Sequence, residues 1–517
     1  MGHESLAVWM LAPALLGAVV GIVLDAFASR RGALAAVLAG LLISTGAAVW
    51  ASSVSLGVSA GQGAAWGVLR VGTLNATLAS AIFGLAALAV LGGWSVLSRR
   101  DWGGTIGGLI GLGAAASVVM ASSTDVTLLL IALETAAACS YALVAFGQGS
   151  RSREAAMKYF IQGSIATGFF VFGMAVLVSV FIPTGDLTGL LQALNGDVAR
   201  SVGTAGIVLL FAALAFKVGA VPFHSWAPDA YESASPESAA FLASGPKLGA
   251  LSALAILGAL TIPGDLVVPL STVTALLGVA SVLVGSVAAL GQRSYTRMLG
   301  YAGVAQVGYA LIGIATLHEP SVPVFFTACY ALAATGTFLS AAAFRRTRPG
   351  WDGSIEGLSG IAEEAPVLAL STSILLISLA GIPPLLGFWA KFLVFGTAIS
   401  AAGSAFSGLA PAVLGWVYAG SAVVGIVGSV VSLGYYGNVL RVLYDVPSGV
   451  TGGAVAENPV EADDGVEPDP GKAGAVWRLS GRSATVAVVI IASLVVVLGL
   501  LPLWSGLGRL VVFFAMP

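Results

Sequence analysis

Charged residues are scarce in this sequence: 9% of its 517 residues are Asp, Glu, Lys or Arg, whereas 58% are hydrophobic. A soluble chain carries roughly 25% charged residues, so the composition excludes a soluble enzyme or a soluble binding domain. The formal net charge is −2, and no nucleic-acid partner is indicated.

Cysteine is scarcer still, with Cys139 and Cys329 lying far apart in apolar segments. Their apolar surroundings predict buried reduced thiols. Because the sequence has no Cys-x-x-Cys spacing, no iron–sulfur or zinc site is evident in this chain. The N-terminus lacks the positively charged region that begins a secretory signal peptide, and it leads directly into about 20 apolar residues. We interpret that segment as a retained membrane span.

Long apolar runs fill the rest of the chain and predict an all-α polytopic membrane protein. The runs are unbroken and too long for the strands of a β-barrel. Fourteen helices are predicted, near residues 5–25, 33–52, 74–97, 104–121, 125–146, 159–182, 202–221, 238–259, 267–290, 299–316, 321–343, 367–399, 410–440 and 484–513. Because 367–399 and 410–440 exceed one span, we expect a break or a strong tilt in each.

Basic residues fall on alternate connections. With the N-terminus outside, 16 of the 22 Lys and Arg residues lie in loops that are then cytoplasmic, and only Arg70, Arg200 and Arg509 lie on the other face. This asymmetry predicts that both termini lie outside the cytoplasm. The acidic, Pro- and Gly-rich stretch 445–474 is predicted to be a disordered cytoplasmic loop without chemistry of its own.

Three of the five lysines, Lys217, Lys247 and Lys391, lie inside apolar segments. A cationic side chain at bilayer depth costs at least ~2.5–3.5 kcal/mol, so such residues indicate an ion or proton pathway. Glu134 is the only carboxylate in the middle of a predicted span, and it needs a cationic partner to stay ionised there. The pair could switch as a proton arrives, or it could be a static ion pair that fixes helix packing.

Two of these lysines lie beside predicted helix breaks. Lys217 precedes Pro222, which lacks an N–H and should free backbone carbonyls within about a turn of the lysine. His224 follows the break and is either a proton relay or a hydrogen-bonded structural group. Lys391 lies beside the segment 381–387, which contains two glycines and two prolines.

Lys247 follows Gly245-Pro246 near the middle of its predicted helix. It is either a group that passes protons or a side chain that extends to the interface. The two Pro-interrupted helices with a lysine each, five helices apart, indicate an internal repeat, and an odd number of helices would invert one unit relative to the other. Weaker candidates are Tyr141, Tyr231, Glu232, Gln306 and Tyr309, and Asp125 is predicted to be a helix N-cap.

The run FKVGAVPFHSWAPDAYE at 216–232, followed by GPKLGAL at 245–251, resembles the antiporter-like subunits of respiratory complex I. Supporting matches are EAAMKYFIQGSIATGFFVFGMAVL, LGQRSYTRMLGYAGVAQVGYALIGI and SLAGIPPLLGFWAKF. The similarity spans roughly residues 120 to 440. Among these subunits it is most like subunit N of bacterial NADH–quinone oxidoreductase, because lysine stands at 391 where the M family has glutamate.

The resemblance implies fourteen helices with two inverted five-helix repeats. The implied units are 1–103 with three helices, the repeats 104–260 and 261–444, the loop 445–483 and a last helix at 484–517. It further implies that Glu134 pairs with Lys217 in a first half-channel, that Lys247 connects the two halves, and that Lys391 serves the second. Gln306 departs from the pattern, since many relatives have His there and an amide cannot hold a proton at neutral pH.

The implied function is proton translocation as one subunit of an NADH–quinone oxidoreductase in the bacterial plasma membrane. FMN, iron–sulfur clusters and quinone would be bound by other subunits, and no cofactor by this chain. Implied partners are subunit M, the small subunits J and K, and lipids. Alternatives are a subunit of a multisubunit sodium/proton antiporter or a membrane hydrogenase, and, in a different class, a scaffold that does not transport.

Overall fold

In the computed structural model, capping residues, glycines and prolines set where helices begin and end. The structure describes residues 3–54, 64–66, 69–147, 149–180, 197–259, 264–317, 320–445 and 482–504. The α-helices are α1 His3–Phe27, α2 Arg30–Val54, α3 Thr73–Leu97, α4 Gly103–Ser122, α5 Val126–Ala145, α6 Ser150–Val180, α7 Asp197–Val218, α8 Trp226–Ser233, α9 Pro236–Leu242, α10 Gly245–Ala259, α11 Gly264–Leu290, α12 Tyr295–Ile314, α13 Ser321–Thr347, α14 Ile361–Glu364, α15 Pro366–Ala380, α16 Leu386–Phe406, α17 Ala412–Tyr444 and α18 Arg482–Trp504. A 3-10 turn covers Glu356–Leu358.

One N-cap was predicted from sequence and is confirmed. The Asp125 carboxylate accepts a hydrogen bond of 2.9 Å from the Leu128 N–H and so begins α5. This bond satisfies one of the amide groups that a helix start leaves without an intrahelical partner.

The helix breaks were predicted in part. The stretch 367–399 divides into α15 and α16, because Gly381 adopts a φ of +86° and ends α15. From Ala412 on, the stretch 410–440 is one unbroken helix within α17, so of the predicted break or tilt there is no break, and no proline lies inside α17 to cause one. Its 33 residues exceed the ~20 needed to span a bilayer, and a tilt stays a prediction.

Twelve helices of the described segments are long and apolar enough to cross a membrane, and two shorter apolar helices cover Val202–Val218 and Pro366–Ala380. The protein is therefore a multi-pass α-helical membrane protein. The number fourteen, the division into two repeats and the orientation stay predictions.

One short hairpin accompanies the helices of this all-α fold. Strands β1 Ala64–Trp66 and β2 Leu69–Val71 pair antiparallel, with Ala65 opposite Arg70. The acidic segment 446–481 and the end of the predicted last helix, 505–513, lie outside the described residues.

The packed centre of the bundle lies around α9, α10 and α13. In the most apolar window of Pro236–Ala259, 94% of the residues are buried, against 28% for Ser150–Ser179. The peripheral helices present large apolar side chains outward, such as Trp416 on α17, which is 74% exposed. Such a surface suits lipid or neighbouring membrane helices. Cys139 and Cys329 are buried free thiols, as predicted.

Candidate functional site

The three intramembrane lysines are all buried inside the bundle. Lys217 is at the end of α7, Lys247 is near the start of α10, and Lys391 is on α16. Their exposures are 2%, 1% and 5%. None extends to the surface, so snorkelling of Lys247 is not what this structure shows.

Lys217 lies one residue before the end of its helix. The chain leaves helical geometry after Val218, where Gly219 has a φ of +77°, and resumes at Trp226. The Trp226 indole N–H donates to the Phe216 carbonyl at 3.1 Å, and its ring stacks on Tyr159 with centroids 4.0 Å apart. These contacts hold the break in place next to the lysine.

The Lys217 ammonium lies 5.9 Å from the centre of the Tyr159 ring. Within the described segments its Nζ has no hydrogen-bond partner. An ammonium has three donors, and leaving them unmet in an apolar interior is costly. A water molecule bound at Nζ would satisfy these donors.

Glu134 lies on α5, half-buried, close enough to Lys217 to act on it electrostatically. Its Oε1 accepts a hydrogen bond from the Thr167 hydroxyl on α6. No direct ion pair joins Glu134 to Lys217 among the residues described. The structure brings the two groups into one neighbourhood without contact, and their functional pairing stays a prediction.

His224 lies in the break between α7 and α8 and is half-buried. Its Nδ1 is buried and, in the described part of the chain, has no hydrogen-bond partner. In the same break the Val221 N–H donates to the Ser281 hydroxyl on α11 at 2.9 Å. The break after Lys217 thus contains His224 and the Val221–Ser281 hydrogen bond, and the relay role of His224 stays a prediction.

Lys247 is held by aromatic rings rather than by a carboxylate. Its Nζ lies 5.2 Å from the Tyr231 ring centre and 5.6 Å from that of Tyr330. Its hydrogen-bond acceptor is the Gly303 carbonyl on α12, at 3.5 Å. Ring faces attract a cation without carrying a charge, so this arrangement stabilises an ammonium without fixing it in an ion pair.

Lys391 donates a hydrogen bond to a backbone carbonyl at the helix break. Its Nζ donates to the Ala380 carbonyl and to the Ser429 hydroxyl, both at 2.9 Å. Ala380 is the last residue of α15, where helical carbonyls lack intrahelical partners and carry partial negative charge. The Tyr309 ring centre lies 4.8 Å away. The break at Gly381 therefore provides the lysine with its acceptor.

The weaker candidates divide into two groups. Tyr141 packs edge-on against Tyr159 at 4.6 Å, beside the Lys217 site. Gln306 on α12 lies between Lys247 and Lys391, and its Nε2 donates to the Leu379 carbonyl at 3.0 Å. Glu232 instead accepts from Arg297 at 2.9 Å in a partly exposed ion pair that ties α8 to α12. That contact suits a structural role.

Sequence reasoning missed Glu237, a carboxylate on α9 with 1% exposure. It lies one residue outside the predicted span 238–259 and follows Pro236, so it resembles an ordinary first-turn acid. It acts electrostatically on Arg345 and Arg346 of α13. Glu237 Oε1 and both terminal nitrogens of Arg346 are buried and lack hydrogen-bond partners in the described segments.

Within the same segments, no group of three or more His, Cys, Asp or Glu side chains is placed to hold a metal ion. The chemistry that the described groups offer is proton binding, hydrogen bonding and hydration.

Comparison with known proteins places these residues in a family. Residues 123–415, which include Glu134 and all three buried lysines, match the transmembrane family described as NADH:quinone oxidoreductase/Mrp antiporter. The chain belongs to this family.

Two relatives of this chain are named NADH-quinone oxidoreductase subunit N. The one from Sphingopyxis alaskensis is 34% identical over 72% of this chain and 74% of its own length. The one from Rhodospirillum rubrum is 32% identical over 96% of this chain and 97% of its own. A chain in the structure of respiratory complex I from Thermus thermophilus with bound aureothin is 26% identical. It covers 95% of this chain and 97% of its own, with a TM-score of 0.72.

Proposed function

We propose that this chain is the proton-translocating subunit N of a bacterial NADH–quinone oxidoreductase. The observation that carries the proposal is the burial of a lysine beside each of two helix breaks, with a third lysine between them along the chain. Near-full-length similarity to a protein named subunit N supports it.

In this proposal, quinone reduction in other subunits changes the interaction between Glu134 and Lys217. The proton then passes through Lys247 to Lys391, and His224 relays protons near the first break. Moving one proton against 100 mV requires about 2.3 kcal/mol. The loosely held ammonium groups of Lys217 and Lys247 favour transfer, because no carboxylate of the described residues contacts either of them.

Redox chemistry belongs to other subunits in this proposal. FMN, iron–sulfur clusters and quinone would be bound there, with this chain binding no cofactor. Its partners would be the antiporter-like subunit M, the small subunits J and K, and lipids along the exposed apolar faces. The complex would lie in the bacterial plasma membrane, with both termini of this chain outside the cytoplasm.

The rival is a subunit of a multisubunit sodium/proton antiporter, which the family description includes. A membrane hydrogenase is a related alternative. NADH-dependent quinone reduction in membranes that contain the protein, lost when its gene is deleted, would separate subunit N from both. A non-transporting scaffold would tolerate loss of the buried lysines.

The test compares Lys217→Met with Lys158→Met in membrane vesicles with equal amounts of assembled complex. Lys158 is the matched control, because it is half-exposed and pairs with Glu154 on the surface of α6. NADH-driven proton uptake and quinone reduction are recorded together. We expect both to fall sharply in Lys217→Met and to be retained in Lys158→Met. Equal activities in the two variants would make Lys217 structural.

A further inference from the structure

Helix α18 packs against the helix break that provides Lys391 with its acceptor. The side chains of α18 that are at most 3% exposed are those of Ala484, Ala487, Val488, Ile491, Ala492 and Val495. Spacings of three and four residues place them on one face of the helix, which faces the bundle. Gly499 continues this stripe, is also buried, and meets the backbone of the break.

Gly499 has no room for a side chain. A methyl group there would lie 2.6 Å from the Pro384 carbonyl oxygen and 2.7 Å from the Leu386 nitrogen. Both are backbone atoms at the junction of the break with α16, so they cannot rotate away as a side chain could. Because ordinary contact begins at 3.4 Å, an alanine at 499 would push the break and α18 apart by about 0.8 Å.

A hydrogen bond adds to this contact. The Trp389 indole N–H on α16 donates to the Gly499 carbonyl oxygen at 2.9 Å. Trp389 precedes Lys391 by two residues, so the bond ties α18 to the turn of α16 that carries the lysine. Lys391 meets the same break, because its Nζ donates to the Ala380 carbonyl and its Cδ would lie 2.8 Å from a methyl group on Gly381. A shift of the break relative to α18 therefore reaches the lysine.

Away from the break, α18 is held by other helices. A methyl group on Gly336 of α13 would lie 3.1 Å from Ile491 Cγ2, so the two helices are in close contact there. At the start of α18, the Ser483 hydroxyl donates to the Gly92 carbonyl of α3 at 3.4 Å. Moving α18 away from the break would disturb these contacts as well, so the helix is a fixed support for the break.

We propose that α18 is a positioning element for Lys391, with Gly499 and Trp389 holding the helix break where the Ala380 carbonyl accepts from the lysine. The proposal rests on the proposed function and adds two positioning residues to it, neither of which takes up the translocated proton. Displacing the break changes the acceptors of the Lys391 ammonium and leaves the lysine itself present.

The test uses Gly499→Ala and Trp389→Phe in membrane vesicles with equal amounts of assembled complex. Phenylalanine keeps an aromatic ring and removes the indole N–H, so the second variant tests the contact without adding atoms at the break. The controls are Gly396→Ala on α16, where nothing lies within 4 Å of the added methyl group, and Trp416→Phe, whose side chain is 74% exposed. Alanine favours a helix over glycine in both glycine variants, so the contact with the break is what distinguishes them.

Initial rates of NADH-driven proton uptake per assembled complex are measured across a range of pH. A misplacement of 1 Å can cost up to about 10²-fold in rate, so we expect Gly499→Ala to lose about tenfold. Trp389→Phe should lose severalfold. In both variants the pH profile of uptake should differ from that of the matched control, because Lys391 then has different hydrogen-bond partners. A helix that only stabilises the bundle would change the amount of complex and leave uptake per complex and its pH profile unchanged, and that outcome would refute the proposal.

Lys391→Met is measured alongside to separate the positioning role from the proposed function. If Lys391→Met loses proton uptake while Gly499→Ala and Trp389→Phe match their controls, the positioning role of α18 is refuted and the translocation proposal stands. If Lys391→Met itself retains wild-type uptake, the role of the lysine is refuted and the positioning role with it. Should Gly499→Ala fail to assemble, Trp389→Phe decides between these outcomes.

Discussion

The contact between Gly381 and Lys391 gives the sharpest test of how the second break serves its lysine. Gly381 has a φ of +86°, and a methyl group there would lie 2.8 Å from Lys391 Cδ. In Gly381→Ala, left-handed geometry costs ~1–2 kcal/mol. In addition, the lysine stem has to move away from the Ala380 carbonyl and the Ser429 hydroxyl.

The expected functional loss can be worked from those two bonds. A hydrogen bond to a charged group contributes about 1.5–3 kcal/mol, and each 1.4 kcal/mol is tenfold in a population. Losing one of the two bonds should reduce the correctly placed Lys391 about tenfold or more. We expect NADH-driven proton uptake per assembled complex to fall to a similar extent.

Gly408→Ala is the matched control. Gly408 also has a φ of +86°, but nothing lies within 4 Å of an added methyl group. Both variants should lose thermal stability through the left-handed φ, and Gly381→Ala should lose more because it also displaces the lysine, measured as the fraction of complex that survives heating. Only Gly381→Ala should lose proton uptake, and equal uptake in the two variants would refute the reasoning.

Two further predictions concern other parts of the site. In Gly303→Ala the new methyl group would displace the Tyr330 hydroxyl or Lys247 Nζ, so proton uptake should fall severalfold at normal levels of complex, as measured in vesicles. In Glu237→Gln a buried charge that faces Arg346 is removed, so the complex should lose about 1–3 kcal/mol of stability and survive heating less well.

Controls for both exist in the chain. Gly396→Ala on α16 adds a methyl group with nothing within 4 Å, and Glu363→Gln removes an exposed carboxylate on α14. Uptake in Gly303→Ala equal to that in Gly396→Ala would contradict the first prediction. Heat survival in Glu237→Gln equal to that in Glu363→Gln would contradict the second.

Local chemistry made the helices and one break predictable. Apolar run length located most of the twelve candidate membrane helices of the described segments approximately, and the Gly-Pro composition of 381–387 predicted the break beside Lys391. The N-cap at Asp125 followed from residue type alone. For α17 the length argument left a break and a tilt open, and the helix is unbroken because no proline lies inside it.

The partners of the lysines could not be read from the sequence. Ser429 lies 38 positions from Lys391 along the chain, and Tyr330 and Tyr231 reach Lys247 from two other helices. Such contacts depend on how the helices pack, which periodicity does not encode. Glu237 was missed for a related reason, because its burial results from packing of α9 against α3 and α13 rather than from an apolar sequence context.

The central claim is that the buried lysines beside helix breaks carry translocated protons. The most direct measurement is the rate of NADH-driven proton uptake, recorded together with NADH oxidation, in vesicles that contain assembled complex with Lys391→Met, compared with Lys158→Met. We predict that proton uptake collapses in Lys391→Met and persists in the control. Proton uptake and NADH oxidation at wild-type rates in Lys391→Met would contradict the account.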